Sequence, residues 1–284
     1  MKVLFIAIDG LRWDTLQSYL PKLPTFSNLL YHPNNRLYTQ CRTRVTSQSG
    51  ACWSSILSGK DVEVSNADLE SDTYQSSRIV PWTLTDRKVS LGVPHRLSTV
   101  VSSWTGMDHL LKKHSDCHSF YPGVQSVRQV RHNDRRVCYQ TRRLLTSRYP
   151  NQLVFAYFMA VDETGHEFGF SSDQYIKSIQ RMDTILAKLL LPPVLRDWRV
   201  VVTTDHGGLD FTQLSPEQQV AYQKTHPNDS PSLGIHGLQL PAMTQSFLSI
   251  YQQGQRGGID PTPYTLSNYH SLLWGVAPPR DAVG

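Results

Sequence analysis

An aspartate and a histidine follow an apolar, β-branched stretch in the C-terminal half of this sequence. Residues 200–204 read Val-Val-Val-Thr-Thr, a composition that favours a buried strand. Asp205 and His206 come next, and Gly207 and Gly208 allow the backbone to turn sharply behind them. In an open α/β sheet the chemistry lies where strands end in loops, so a carboxylate and an imidazole there are candidate metal ligands. The alternative is a turn aspartate followed by an incidental histidine.

Two further acidic residues follow stretches that predict buried strands. Asp9 directly follows the strand expected over residues 2–8, and Asp162 directly follows the one expected over residues 152–161. His166 lies four residues beyond Asp162, so one helical turn or a tight loop would bring both side chains to the same point, as metal ligands require. The alternatives are a turn or capping aspartate and a surface histidine. Three strand-end acids together favour a shared site.

A hydroxyl-rich segment and a glycine-flanked histidine complete the candidates. Residues 46–59 are dense in small and hydroxyl side chains and predict a short helix that ends at Gly59. A hydroxyl at its N-terminus would lie where backbone N–H groups and the helix dipole favour an alkoxide or a phosphate, although an ordinary serine N-cap has the same sequence. His236 follows a long polar loop, and it is either a ligand on a loop that closes the site or a surface histidine.

Together these residues provide three carboxylates, three imidazoles and one hydroxyl: Asp9, Ser49, Asp162, His166, Asp205, His206 and His236. Mixed nitrogen and oxygen ligands suit Zn²⁺, which takes three or four of them at about 2.0–2.2 Å. Seven are too many for one zinc ion and fit two, with Mn²⁺ as an alternative metal. Two cations roughly 3.5–4 Å apart would clamp the oxygens in a phosphoryl or sulfuryl transfer. A metal would also activate the serine hydroxyl as a nucleophile.

The remaining pattern predicts an α/β fold, with a mostly parallel central sheet and helices on both faces. We expect one domain over residues 1–284, with loop excursions over the site at about 60–80 and 207–237. Strands are expected over residues 2–8, 36–45, 97–102, 152–161, 198–204 and 246–251. Helices are expected over residues 12–31 with breaks at Pro21 and Pro24, and over 82–92, 104–114, 133–148, 172–190 and 263–273, with 115–131 irregular.

The composition fits a soluble globular chain, with 284 residues, 39% hydrophobic and 18% charged. The net charge of +5 favours anionic ligands, but no nucleic-acid-binding motif is present. Seven arginines between Arg128 and Arg148 are expected to form a solvated helix face, with anion steering as the alternative. The apolar runs are too short to span a membrane. No signal peptide is visible, which predicts a cytoplasmic protein whose four cysteines are free thiols.

The order of these motifs resembles the alkaline phosphatase superfamily. The shared features are Asp-Gly, a hydroxyl before a helix, Asp-x-x-Gly-His, Asp-His-Gly-Gly and His-Gly, together with a Leu-Pro-Thr-Phe helix start and a final Pro-Thr-Pro segment. The branch that looks most similar is the nucleotide pyrophosphatase/phosphodiesterase family, and the similarity runs from residue 2 to about 275. This resemblance implies a three-layer α/β/α sandwich and a hydrolase that uses two zinc ions.

The resemblance also implies a division of the ligands. One zinc ion would take Asp162, His166 and His236. The other would take Asp9, Asp205, His206 and the oxygen of Ser49. Ser49 is the implied nucleophile because the nucleophile of the family lies ten residues before the glycine that ends its helix, and Thr46 and Ser47 are weaker candidates.

The sequence departs from the family pattern beside the nucleophile. Gly50 stands where the family usually has an aromatic residue that stacks on a nucleotide base. The phosphate-contacting asparagine of the family falls near Glu70, with Asn66 close by, so either is a candidate substrate-binding residue. The secreted members also carry signal peptides and extra domains, and we expect neither in this chain.

The expected reaction is hydrolysis of a phosphate diester or pyrophosphate, through a covalent phosphoserine, on a small anionic substrate such as a nucleotide or cyclic nucleotide. The alternatives are a phosphomonoesterase or sulfatase-like hydrolase on the same fold and an inactive homologue that sequesters nucleotide. A sulfatase modification motif is absent, and a mutase insertion does not fit in this length.

Overall fold

The computed structural model describes residues 2–71, 97–121, 126–146, 152–225 and 233–274. Its strands are β1 Lys2–Ile8, β2 Asn35–Arg42, β3 Leu97–Ser102, β4 Cys117–Phe120, β5 Gln152–Phe158, β6 Trp198–Thr204, β7 Leu209–Asp210, β8 Gly234–Ile235, β9 Gln245–Tyr251 and β10 Gly258–Thr265. Its helices are α1 Trp13–Tyr19, α2 Pro24–Leu30, α3 Ser49–Ser58, α4 Asn66–Glu70, α5 Thr105–Leu111, α6 Val127–Leu145, α7 Ala160–Phe168, α8 Asp173–Leu189, α9 Pro192–Asp197, α10 Pro216–Thr225, α11 Pro241–Thr244 and α12 Tyr269–Trp274. Short 3₁₀ turns cover Leu20–Lys22, Phe211–Gln213 and Leu266–Asn268.

Eight strands form one sheet in the order β10-β2-β9-β6-β1-β5-β3-β4. Among them, β9 runs antiparallel to its neighbours β2 and β6, and the other adjacent pairs are parallel. β1 lies between β5 and β6, and its last residue Ile8 is in register with Phe158 and Thr204. The carboxyl ends of three neighbouring strands therefore meet at one edge of the sheet.

Both faces of this sheet are covered by helices, because the side chains of β1 alternate between two separate cores. Leu4, Ile6 and Ile8 pack in a cluster with residues of α1, α2 and α8. Phe5 and Ala7 point to the other face, where residues of α3, α5 and α12 cover them. A parallel strand that is buried on both faces has an almost continuous apolar sequence, as β1 does. The predicted α/β fold with helices on both faces is confirmed.

Several elements lie where the periodicity predicts them. Helix α8 buries the expected apolar stripe, which includes Tyr175, Ile179 and Met182. Prolines separate α1, a 3₁₀ turn and α2 within the segment predicted to be helical with breaks. Gly59 ends α3 with φ 71°, a left-handed conformation that glycine adopts without a Cβ clash. All four cysteines are free, as predicted.

Three expectations about irregular structure are wrong. The 60–80 segment contains α4, and the 115–131 segment contains β4 and the start of α6. The loop expected over 207–237 contains β7, α10 and β8. Helix α10 is polar around most of its surface, so no apolar stripe marks it in the sequence. The helix expected over 82–92 and residues 226–232 of the long loop lie outside the described residues.

Two predicted boundaries are also corrected. The strand predicted over 152–161 ends at Phe158, and the chain turns directly into α7. The segment predicted as a helix over 263–273 begins with the last three residues of β10, continues as a 3₁₀ turn over 266–268, and is α-helical only from Tyr269, where α12 begins. β10 lies at the edge of the sheet and has a register shift between Asp260 and Pro263, a position at which proline is tolerated in a strand. None of the described helices combines the length and apolarity needed to cross a bilayer.

Candidate active site

Five of the predicted site residues lie at one edge of the sheet, where β1 and its two neighbours β5 and β6 end. Asp9 follows β1 directly, and Asp205 and His206 follow β6. Asp162 and His166 lie on α7, which begins two residues after β5 ends. Asp9, Asp162, Asp205 and His206 are each at most 5% exposed. Charged groups at this depth need partners, because burial removes their hydration.

Helix α7 places Asp162 in its first turn and His166 one turn later. The spacing of four residues puts both side chains on the same helix face, with Asp162 Oδ2 3.2 Å from His166 Nε2. The N-terminus of α7 is held by Asp134 of α6, whose carboxylate accepts the N–H groups of Met159 at 3.2 Å and Ala160 at 3.1 Å. Asp134 is 3% exposed, so it anchors the ligand-bearing helix from within the core.

We expect Asp134→Ala to destabilise the folded protein, since it leaves two N–H groups at the start of α7 without an acceptor. The loss should be about 1–3 kcal/mol, measured by urea unfolding. Asp134→Asn keeps one acceptor and should fall between Asp134→Ala and the native chain. Equal unfolding midpoints for all three proteins would show that this carboxylate does not anchor α7.

One group of candidate ligands consists of Asp162, His166 and His236. His236 Nε2 lies 3.0 Å from His166 Nε2 and 3.9 Å from Asp162 Oδ2. The second ring nitrogen of each histidine is fixed by a backbone carbonyl, His166 Nδ1 by Gly234 at 2.9 Å and His236 Nδ1 by Ser47 at 2.7 Å. Nitrogens held in this way orient the opposite Nε2 atoms toward a shared point, as in metal sites.

A second group consists of Asp9, Asp205 and His206. His206 Nε2 lies 3.5 Å from Asp9 Oδ1 and 3.2 Å from Asp205 Oδ2. His206 also has a ring nitrogen within 4.8 Å of ligand atoms of Asp162 and His236, so the two groups adjoin one another. The Gly10 N–H donates to Asp205 Oδ1 at 3.2 Å, which fixes the turn after β1 against the end of β6.

Ser49 lies against the second group. Its Oγ donates to Asp9 Oδ1 at 3.2 Å and lies 3.2 Å from His206 Nε2. Ser49 is the first residue of α3, so the free N–H groups and the helix dipole favour negative charge on its oxygen. A hydroxyl in this position can be deprotonated and can attack an electrophile held at the helix N-terminus.

Gly50, the residue after Ser49, is closely packed by atoms that lie outside α3. The Gly50 N–H donates to Asn66 Oδ1 at 2.7 Å. A Cβ added at Gly50 would come within 3.0 Å of Asn66 Oδ1, Leu69 Cδ1 and the Val64 carbonyl oxygen. Helix α4 therefore occupies the space that a larger side chain at position 50 would need.

The buried carboxylates of the site favour a positive charge close to them. Burial raises the pKa of Asp9 well above its usual range, and the carboxylates of Asp205 and Asp162 raise it further. Burial also raises the pKa of Asp205, which His206 opposes and Asp162 reinforces. Burial and the neighbouring His206 lower the pKa of His236, which favours the neutral imidazole that binds metals.

Two carboxylate oxygens give a direct test of whether the residues fit metal ions. Within the described part of the chain, Asp162 Oδ1 and Asp205 Oδ2 are buried and accept no hydrogen bond. Buried oxygens of this kind are normally satisfied. A cation would satisfy Asp162 Oδ1, and beside Asp205 Oδ2 it would be shared with His206 Nε2, which lies 3.2 Å away. Three buried carboxylates with adjacent imidazoles fit divalent cations, and the donor set suits zinc or manganese.

The structure brings together all seven residues that the sequence predicts as metal ligands or nucleophile. Asn66 lies beside them through its bond to Gly50, whereas Glu70 accepts a hydrogen bond from the Trp104 indole at 2.5 Å. The weaker nucleophile candidates have other partners. Ser47 Oγ donates to the Leu238 carbonyl at 2.8 Å and accepts the Gly237 N–H at 3.0 Å, so it ties down the loop of His236. The backbone N–H of Thr46 donates to Glu63 at 2.9 Å.

Two residues beside the site carry no sequence signal of their role. The Tyr157 hydroxyl hydrogen-bonds to Asp9 Oδ2 and is fully buried. It lies in the apolar run of β5, where an aromatic residue indicates only a strand. Asp134 lies in the arginine-rich α6, where its polarity suggests a solvent-facing position. Both roles depend on contacts between elements that are distant along the chain.

Comparisons with known proteins agree with this geometry. The sequence model of the type I phosphodiesterase/nucleotide pyrophosphatase family matches residues 3–269. A comparison with curated protein sequences finds no match.

Solved structures share the fold at low sequence identity. Murine ectonucleotide pyrophosphatase/phosphodiesterase 5 has a TM-score of 0.64 at 16% identity, over 98% of this chain and 96% of that one. Its human counterpart has a TM-score of 0.61 at 15% identity, over the same shares of the two chains. An alkaline phosphatase superfamily protein from Vibrio parahaemolyticus has a TM-score of 0.60 at 12% identity, over 100% of this chain and 68% of that one. With the family match over nearly its whole length, the chain belongs to the type I phosphodiesterase/nucleotide pyrophosphatase family, on the α/β fold of the alkaline phosphatase superfamily.

Proposed function

We propose that this protein hydrolyses phosphate diester or pyrophosphate bonds of nucleotide-type substrates, with Ser49 as the nucleophile. The observation that carries the proposal is the position of Ser49 Oγ. It lies at the start of α3 and 3.2 Å from both Asp9 Oδ1 and His206 Nε2. The family supports a hydrolase of the phosphodiesterase and nucleotide pyrophosphatase type. An inactive form of the murine neighbour has been solved in complex with AMP, which favours a nucleotide here.

Two divalent cations would complete the site. We propose zinc, with manganese as the alternative. One cation would be held by Asp162, His166 and His236. The other would be held by Asp9, Asp205, His206 and the Ser49 oxygen. When bound, these cations would lower the pKa of the serine hydroxyl and stabilise negative charge on the phosphoryl oxygens.

The proposed reaction has two displacement steps, the first by Ser49 and the second by water. Ser49 Oγ, which donates to Asp9 Oδ1, gives up its hydroxyl proton to water and bonds to phosphorus while the bond from phosphorus to the leaving oxygen breaks. A leaving alkoxide takes up a proton from water, which balances the proton that Ser49 lost. The leaving group departs as an alcohol or a phosphate. Water then attacks the phosphoserine, the bond from phosphorus to Oγ breaks, and a phosphate monoester is released as Ser49 regains its proton.

Asn66 is the better placed of the two predicted substrate-binding residues. Its amide oxygen is held by the Gly50 N–H, one residue from the nucleophile, which leaves its NH₂ group as a donor for a phosphoryl oxygen. Glu70 carries a negative charge and bonds to Trp104 Nε1, so we assign it no contact with an anionic substrate.

The reaction class can be tested with three chromogenic substrates of the same leaving group. We expect purified protein to cleave bis(4-nitrophenyl) phosphate faster than 4-nitrophenyl phosphate or 4-nitrophenyl sulfate. EDTA should abolish the activity, and zinc or manganese should restore it. A faster rate on the monoester or the sulfate would replace the diesterase proposal with a phosphomonoesterase or a sulfatase. Tight nucleotide binding without product, even with added metal, would indicate a sequestering homologue.

A further inference from the structure

A cavity of about 250 Å³ lies between α6 and α8, against the first turn of α7. Four cationic side chains line it, namely Arg131, Arg135, Arg181 and Lys188. We propose that this cavity binds a small anion that carries a phosphate group. It would be a second ligand site, separate from the candidate metal ligands at the strand ends, and the proposal does not depend on the proposed reaction.

The positive charge around the cavity has little compensation. Asp134 is the one acidic residue in the cavity lining, and both of its oxygens accept backbone N–H groups at the start of α7. Burial raises the pKa of Asp134 to about 7, which limits its negative charge at neutral pH. Four cations and one engaged acid leave a net positive surface, and such a concave surface concentrates anions.

Arg131 shows most directly that an acceptor is needed. Its Nε atom is buried and has no hydrogen-bond partner among the described residues, and its Nη2 lies 3.5 Å from Thr164 Oγ1. Burial and the nearby Arg181 lower the pKa of Arg131, and Glu167 opposes them only in part. A phosphate between Arg131 and Arg181 would accept hydrogen bonds from both guanidinium groups and remove their mutual repulsion.

The apolar wall of the cavity further limits the chemical class of ligand that fits. Val161, Met182 and Ile185 contribute apolar surface beside the cations. A phosphate monoester with a small apolar group would satisfy both walls, with its dianion at the arginines and its ester group at this apolar patch. We therefore expect phenyl phosphate to bind more tightly than inorganic phosphate.

The cavity also gives a specific role to part of the arginine-rich segment. Half-buried Arg131 and exposed Arg135 of α6 line it together with residues of α8, whereas Arg142 and Arg143 of the same helix are exposed and are not part of the lining. The sequence alone left a solvated face and an anion-steering role open. The structure supports a solvated position for Arg143, and it supports an anion-binding position for Arg131.

The proposal can be tested by titrating the full-length protein, with its metals retained, with inorganic phosphate and with phenyl phosphate at constant ionic strength. Two-dimensional ¹⁵N spectra would report binding through the amides of Thr184 and Ile185, which lie at the cavity and not at the strand ends. We expect saturable shifts in both titrations, and no shifts when chloride replaces phosphate. Arg181→Gln should weaken binding at least about tenfold, and Arg143→Gln should leave it unchanged.

The proposal is wrong if the shifts are linear and chloride reproduces them, or if Arg181→Gln binds with the same affinity as the native protein. A third titration uses vesicles that contain phosphatidate, and binding to these vesicles alone would also overturn the proposal. Thermal unfolding of each variant would verify that it is folded. Arg181 and Lys188 are both exposed, so neither substitution should prevent folding. If Arg181→Gln does not fold, Lys188→Gln tests the same site, and unchanged affinity there would count against the proposal equally. Loss of binding with retained diesterase activity would also separate this site from the proposed function.

Discussion

Ser49→Ala is expected to lower kcat/KM for bis(4-nitrophenyl) phosphate by about a thousandfold or more. The substitution removes the one protein atom that we propose to bond to phosphorus, and loss of a nucleophile commonly costs at least this much. The proposed phosphoserine gives a second measurement. Acid-quenched native protein should carry a phosphoryl group on the peptide that contains Ser49, and the variant should carry none.

Ser54→Ala is a matched control on the same helix. Ser54 is fully buried in α3, and its Oγ has no hydrogen-bond partner among the described residues, so its removal should cost little stability and no activity. Full activity of Ser49→Ala would remove Ser49 from the mechanism. Equal losses in both variants would indicate damage to α3 instead of loss of a nucleophile.

Asp205→Asn is expected to have opposite effects on stability with and without metal. Asp205 is fully buried, and burial and the nearby Asp162 both disfavour its charged form. The neutral amide removes this repulsion, so the EDTA-treated variant should melt above the EDTA-treated native protein. Each kcal/mol of relief corresponds to a rise in Tm of about 2–4 °C. The variant should also lose the Tm increase that zinc gives the native protein, because it lacks a proposed ligand.

Metal affinity in Asp205→Asn should fall by more than about 100-fold, since even an outer partner of a metal ligand commonly contributes 10–100-fold. Asp183→Asn is the matched control. Asp183 is also buried, but it accepts the N–H groups of Thr25 and Phe26 at the start of α2 and lies away from the candidate site. This variant should be less stable and should keep its full response to zinc. A normal zinc response in Asp205→Asn would exclude Asp205 as a ligand.

The convergence of the candidate ligands could be predicted because it depends on a local rule. Asp9 and Asp205 each directly follow an apolar run, and parallel neighbours in a sheet end at the same edge. The spacing of Asp162 and His166 similarly predicts a common helix face. The position of Ser49 came from the resemblance to the family, since the local sequence leaves several hydroxyls equivalent.

The features that could not be predicted depend on packing between distant elements. Tyr157 contacts Asp9 because β5 and β1 are paired, and Arg181 and Arg131 line the same cavity because α8 packs on α6. Helix α10 was missed because its polarity does not vary with helical period. β10 was missed because its prolines resemble a helix start, although an edge strand tolerates them as well.

The central position of β1 has a consequence for biosynthesis. β1 leaves the ribosome well before β5 and β6, whose residues Phe158 and Thr204 are in register with its last residue. Its apolar side chains must remain uncovered until β5 and β6 have been translated, and apolar surface exposed in this way is prone to aggregation. A chain that terminates before β6 would lack one neighbour of β1 and three of the seven candidate ligands, so activity should appear only after the segment from β6 to His236 has been translated.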